Sequence, residues 1–89
     1  MNKKRKYQLK AEAHHLKPVI LLGNQGLTDS VQQEIDNALS AHQLIKIKIP
    51  VSDKDERNKI IDEICNQQQS VHIDTVGHIA IIWRKNPDK

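Results

Sequence analysis

In Leu44-Ile45-Lys46-Ile47-Lys48-Ile49 the chain alternates from Ile45 onward, and Pro50 follows at once. A period of two puts the isoleucines on one face of an extended strand and both lysines on the other. A slip of one residue would exchange the faces, so the segment belongs in a sheet with one dry side. On either side the apolar spacing changes to that of a helix. Val31, Ile35, Ala38 and Leu39 form one stripe upstream, and Ile60, Ile61, Ile64 and Cys65 form another downstream. A strand held between two amphipathic helices is a unit of α/β architecture.

The remaining segments extend this pattern. Residues 4–16 predict a first helix, with Leu9, Ala13 and Leu16 at i, i+4 and i+7, Tyr7 and Ala11 nearby, and Lys6 and Lys10 on the other face. Pro18 ends it, because the residue before a proline is pushed out of helical geometry. Val19 to Leu22 is an unbroken apolar run, as in a strand buried on both faces. Gly23-Asn24-Gln25-Gly26 and Leu27 lead to Thr28, a good N-cap, with Asp29 suited to the positive end of the helix dipole. Ser52 with Asp55, and Asp53 with Glu56, both offer capping boxes for the third helix, which closes at Gln67-Gln68-Gln69. Val71 to Thr75 and Ile79 to Trp83 read as a hairpin around Gly77.

The predicted fold is α/β with the order αβαβαββ and a four-stranded mixed sheet. Right-handed crossovers make the first three strands parallel, with the second and third helices on one face. The last strand runs antiparallel, either at an edge or inserted within the sheet. Lys46 and Lys48 belong on the opposite surface, part of which the first helix covers. Residues 1–89 form one domain, with 1–3 and 86–89 as flexible tails.

Composition excludes several classes of protein. With 89 residues, 37% apolar and 28% charged, the chain supports one modest core, which excludes a multidomain enzyme and a wholly disordered chain. The runs Val19–Leu22 and Ile79–Trp83 are too short to cross a bilayer, and no apolar stretch follows the basic start as a secretory signal requires. The single cysteine, Cys65, forbids an internal disulfide and fits a reducing compartment, so a cytoplasmic location is expected. The net charge of +3 is unevenly placed. Residues 1–26 hold Lys3, Lys4, Arg5, Lys6, Lys10 and Lys17 against Glu12 alone, whereas 27–43 hold Asp29, Glu34 and Asp36 and no base. This asymmetry points to an anionic partner for the first third of the chain, although a basic terminus also aids solubility. Tyr7 and Trp83 are the only aromatics. A nucleic acid would therefore be held mainly by its phosphate backbone, without a platform of stacking rings.

The Gly23–Gly26 loop is the main candidate site. It joins a buried strand to a capped helix, where two glycines let the backbone approach a ligand and the helix start offers unpaired N–H groups. A GxxG loop that clamps nucleotide backbone is the device of KH domains, while the plain alternative is a tight turn. The Gly-Lys-Ser/Thr ending of a P-loop and the third glycine of a dinucleotide fingerprint are missing. His14 and His15 diverge on a helix, no histidine pair has i, i+4 spacing, and His72 with His78 lacks a nearby cysteine. Cys65 shares an apolar stripe, which suits a small core residue. No carboxylates pair as acid–base work requires. We therefore expect no catalytic residues, metal or cofactor.

The basic first helix, Leu16-Lys17-Pro18-Val19, Gly23-x-x-Gly26-Leu27-Thr28 and the closing Trp83-Arg84 together resemble the CRM domain, and more narrowly the bacterial single-domain YhbY proteins. The resemblance covers residues 4–85. It implies a fold similar to the C-terminal domain of bacterial translation initiation factor 3. It also implies RNA binding, with association to precursors of the large ribosomal subunit as an assembly factor and not an enzyme. The family usually carries a basic residue after the first loop glycine, where this chain has Asn24 and then Gln25. On this reading the RNA-binding residues are Lys4, Arg5, Lys6, Lys10, Lys17, Gly23, Asn24, Gln25, Gly26, Lys46, Lys48, Arg84 and Lys85, with the first helix and the Arg84-Lys85 pair flanking the loop. The partner is RNA, with no membrane and no small-molecule substrate, and the chain acts as a monomer.

Two other readings compete with it. An adaptor would dock a protein on its acidic helix faces or sheet surface, with the basic end only steering the encounter. A duplex-DNA binder is disfavoured because a strand separates helices two and three, unlike a helix-turn-helix. Trp83 ends the Ile79-Ile81-Trp83 face and is read as core.

Overall fold

The computed structural model describes residues 1–86. The elements are α1 (Lys3–Ala13), β1 (Ile20–Leu21), α2 (Asp29–His42), β2 (Leu44–Lys48), α3 (Lys54–Gln68), β3 (Val71–Val76) and β4 (Ile79–Trp83). The sheet order is β1-β2-β4-β3, with β1 and β2 parallel and β4 antiparallel to both β2 and β3. The last strand is thus inserted, not at an edge.

The alternation in β2 divides the molecule into two layers. Ile45, Ile47 and Ile49 join Ile35, Leu39, Ile61, Ile64, Ala80 and Ile82 in the main core beneath α2 and α3. Leu44 and Ile81 face the other way and meet Leu9 and Ala13 of α1, with Ile73 and Trp83 packed alongside. Trp83 is therefore a half-buried flank of this second core. Arg5 stacks over its ring, 5.9 Å from the centroid.

A register shift between His72 and Asp74 interrupts β3. Ile73 is the extra residue of a bulge, so the face on which Asp74 lies is reset relative to the strand's start. Asp74 then meets Lys10 of α1 at 2.9 Å. That hydrogen bond is the main reason the Asp74 carboxyl titrates below the usual aspartate range.

Helix starts follow their sequence signals. Thr28 Oγ1 accepts the Val31 N–H at 3.2 Å, and Asp53, not Ser52, caps α3 by accepting the Asp55 N–H at 3.0 Å. Helix ends do not. α2 and α3 stop at Gln43 (φ +63) and Gln69 (φ +53), positions that usually favour glycine. Gln43 is held there from several sides: its N–H donates to the Leu39 carbonyl, and its own carbonyl accepts the Arg84 N–H at 2.9 Å.

Two expectations need correction. α1 ends at Ala13, not at residue 16, because the chain turns at His14 and His15 to lay Val19 beside β2, where its N–H donates to the Lys46 carbonyl at 3.1 Å. β1 is buried on one face only. Ile20 and Leu22 are 6% and 2% exposed, but Val19 and Leu21 are 52% and 64% exposed, because β1 is an edge strand that α1 does not cover. Asn2 caps α1 by accepting the Arg5 N–H, Lys3 is helical, and Asn86 donates to Gln43 Oε1. Residues 87–89 of the expected C-terminal tail lie outside the described residues.

Candidate nucleic-acid interface

The Gly23–Gly26 loop is a tight turn closed by the Gly26 N–H donating to the Gly23 carbonyl at 3.0 Å. Leu22 anchors its start, buried and bonded through its N–H to the Lys48 carbonyl. Leu27 packs against the main core at its end. Between these anchors Asn24 and Gln25 are exposed at the tip. A Cβ at either glycine would meet nothing within 4 Å, so the backbone is uncovered on that side. The two glycines are not equivalent. Gly26 has φ +71, which an L side chain adopts only with strain, and Gly23 has no such constraint. A depression of about 270 Å³ beside the turn is lined by Leu22, Gly23, Asn24, Gly26, Pro50 and Glu56, among others.

The candidate cations divide into three groups. Lys4, Arg5 and Lys10 are exposed on α1 and Lys6 is partly so, all on the layer opposite α2 and α3. Lys10 is shared with Asp74, and Arg5 with the Trp83 ring. Lys48 pairs in register with Leu21, which places it at the loop's end of the sheet, exposed on the same side as α1. Lys46 lies on that side too but is half buried, and its Nζ donates to the Leu16 carbonyl at 3.0 Å, fixing the turn after α1. Lys17 is exposed ahead of β1, at the end of that strand away from the loop.

Arg84 and Lys85 do not flank the loop. β2 pairs Leu44 with Trp83 and Lys48 with Ile79, so the pair leaves the sheet at the end opposite the loop, beyond the ~13 Å length of β2. Arg84 also turns inward. Its guanidinium donates to Asp36 Oδ1 at 2.9 Å, the Asp36 carbonyl at 3.1 Å, Ser40 Oγ at 3.0 Å and Gln68 Oε1 at 3.2 Å. Its side chain is only 20% exposed. Gln68 extends the network by donating to the carbonyl and Oε1 of Gln32 at 2.9 and 2.7 Å. Arg84 thus ties the segment after β4 to α2 and α3. Lys85 remains exposed.

Sequence reasoning grouped Tyr7 with the apolar residues of the first helix, yet it is 75% exposed. At ~100° per residue it stands about 160° from Leu9 and 120° from Ala13, so a strict helical projection places it outside the buried stripe. Burial of Gln68 had no comparable signal, because its partners are remote in sequence. Of the remaining reactive groups, Cys65 is half buried and burial pushes its thiol up. His72 Nε2 lies 2.8 Å from Thr75 Oγ1. Among the described residues no three His, Cys, Asp or Glu side chains are grouped to hold a metal ion, and no helix is long and apolar enough to cross a membrane.

Charge is divided between the layers. α1 carries five bases and Glu12, whereas α2 carries Asp29, Glu34 and Asp36 with no Lys or Arg. α3 adds Asp55, Glu56, Asp62 and Glu63 against Lys54, Arg57 and Lys59. One side of the sheet is therefore basic and the other acidic.

Residues 1–84 match the CRS1 / YhbY (CRM) domain family. The chain is 39% identical over 87 residues to the Probable RNA-binding protein PA4753 of Pseudomonas aeruginosa, spanning 98% of this chain and 84% of that one. It is 40% identical over 88 residues to an RNA-binding protein of Haemophilus influenzae, spanning 99% and 89%. The solution structure of the hypothetical protein SAV1595 from Staphylococcus aureus has the same fold, with a TM-score of 0.85 at 22% identity, covering 97% of this chain and 90% of that one.

Proposed function

Because this chain belongs to the CRS1 / YhbY (CRM) domain family, we propose that it is a non-catalytic RNA-binding protein. It works as a monomer in the cytoplasm, on ribosomal RNA in precursors of the large ribosomal subunit, as an assembly factor. The names of its relatives in Pseudomonas aeruginosa and Haemophilus influenzae support the RNA partner. The ribosomal target is the role that the family resemblance implies.

The separation of charge across the sheet is the observation that carries the reading. A polyanion approaching the molecule is attracted to the α1 side and repelled from the α2/α3 side, so the protein meets its partner in one orientation. On the attractive side Lys3, Lys4, Lys6 and Lys48 neutralise phosphates, and the uncovered Gly23–Gly26 backbone with the Asn24 and Gln25 amides supplies hydrogen bonds at its margin. Lys46 supports this surface from within, and Arg84 braces the opposite layer, instead of touching the ligand.

Titration of a labelled hairpin RNA across a range of KCl concentrations tests the proposal. Log affinity should fall linearly with log salt, and the double variant Lys4→Glu/Lys6→Glu should flatten the slope by roughly 1.5 or more, at about 0.7–0.9 for each phosphate no longer neutralised. An unchanged slope would refute the role of α1. Gradient sedimentation of a lysate tests the ribosomal target, with co-migration with large-subunit precursors expected. The acidic α2/α3 layer, left free by this arrangement, is what favours the adaptor reading. Association with ribosomal particles that survives complete RNA digestion would favour it over ours.

A further inference from the structure

The exposed face of α1 carries an aromatic ring that phosphate binding does not use. Lys3, Tyr7, Lys10 and His14 follow one another at spacings of four, three and four, so they form a single row along the helix and its cap. Tyr7 sits in the middle of this row, 75% exposed. No hydrogen bond or ring contact engages it among the described residues, whereas Arg5 is stacked on Trp83 and Lys10 is paired with Asp74. The ring adds nothing to the second core, which is built from Leu9, Ala13, Leu44 and Ile81. It stands free among cations, on the basic side of the sheet.

Resting on the RNA-binding reading above, we infer that Tyr7 is a stacking residue that takes one unpaired base, so that the α1 face selects RNA carrying a bulge or open loop over a continuous duplex. A base within a duplex is already stacked on both faces and has none to offer. An extruded base has two, and Lys3, next to Tyr7 in the row, can hold a phosphate beside it. One ring is not a platform, and it reads no sequence, because every base presents a π-face. What it contributes is a preference for a structural class of RNA, which the charge of α1 alone cannot give.

Two RNA probes distinguish this role from general attraction: a 20-base-pair duplex, and the same duplex with a three-nucleotide bulge containing 2-aminopurine. The parent protein should prefer the bulged probe and quench its fluorescence. Tyr7→Phe keeps the ring and should behave like the parent. Tyr7→Ala should bind the bulged probe about 5- to 30-fold more weakly, lose the quenching, and bind the continuous duplex as before. The alanine variant should stay folded, because the side chain is exposed and alanine is the better helix former, as far-UV circular dichroism will check. If Tyr7→Ala retains the bulge preference or the quenching, the stacking role is wrong while RNA binding stands. If the parent binds neither probe even at low salt, the RNA-binding reading falls as well.

Discussion

Replacing Arg84 with alanine should act on stability and not on RNA binding. The guanidinium fork serves Asp36, Ser40 and Gln68 together, from a side chain only 20% exposed. Its removal leaves the Gln68 side-chain carbonyl without this donor in a residue just 7% exposed, a loss of about 1–3 kcal/mol. Asp36 is 49% exposed and regains water, so the ion pair itself adds less than about 1 kcal/mol. The sum is about 1–4 kcal/mol, against a total of roughly 4–13 kcal/mol for a chain of this size. Thermal unfolding should shift down by roughly 5–30 °C. Arg84→Lys preserves the charge but cannot reproduce the fork, so it should recover less than half of the loss. A phosphate-binding side chain would behave in the opposite way, with lysine a fair substitute and stability barely changed. Urea unfolding of both variants, followed by RNA titration well below the transition, separates the two cases. A buried role for Arg84 is refuted if Arg84→Ala unfolds within about 0.5 kcal/mol of the parent while the salt slope of binding falls by about 0.7–0.9.

The two loop glycines should respond differently. Gly26→Ala forces a side chain into φ +71 at about 1–2 kcal/mol, whereas Gly23→Ala enters open space and should leave the melting temperature nearly unchanged, so any affinity it loses reports ligand contact. The Lys10–Asp74 pair should contribute under about 1 kcal/mol at neutral pH. Because the folded carboxyl titrates lower than in the unfolded chain, that contribution is present above about pH 4 and fades as acid protonates the folded group. Asp74→Asn should therefore be slightly less stable than the parent at pH 7, with the gap narrowing as the pH falls below about 4, and a gap that widens in acid would contradict the sign. Cys65, with its thiol pushed up by burial, should react with a disulfide reagent slowly in the native state and quickly in urea. Equal rates would mean the thiol is accessible.

Residues whose neighbours in sequence are also their neighbours in space were legible before any coordinates. The alternation of Leu44–Ile49 sorted both faces of β2 correctly, and the stripes of α2 and α3 and the caps Thr28 and Asp53 follow from spacing and residue type. Reading failed where a remote partner decides. Val19 and Leu21 look like a doubly buried strand, but their exposure depends on how far α1 reaches across the sheet. Arg84 looks like one more surface cation, yet Asp36 and Gln68, 48 and 16 residues away, draw it inward. Lys46 is similar, since the Leu16 carbonyl it serves lies 30 residues upstream. Within the candidate site the loop was found from its glycines. The end of the sheet on which each cation falls was not, because it depends on the position of β4.

That position also bears on how the protein is made. β4 forms the seam between β2 and β3, yet it follows both in chain order. A nascent chain that has emerged only as far as β3 holds the β1–β2 pair and a lone β3, with Ala80 and Ile82 missing from the main core and Ile81 from the second. Neither piece can close alone, so cooperative folding waits until translation has passed Trp83, and until then both strand edges stand open to passing chains.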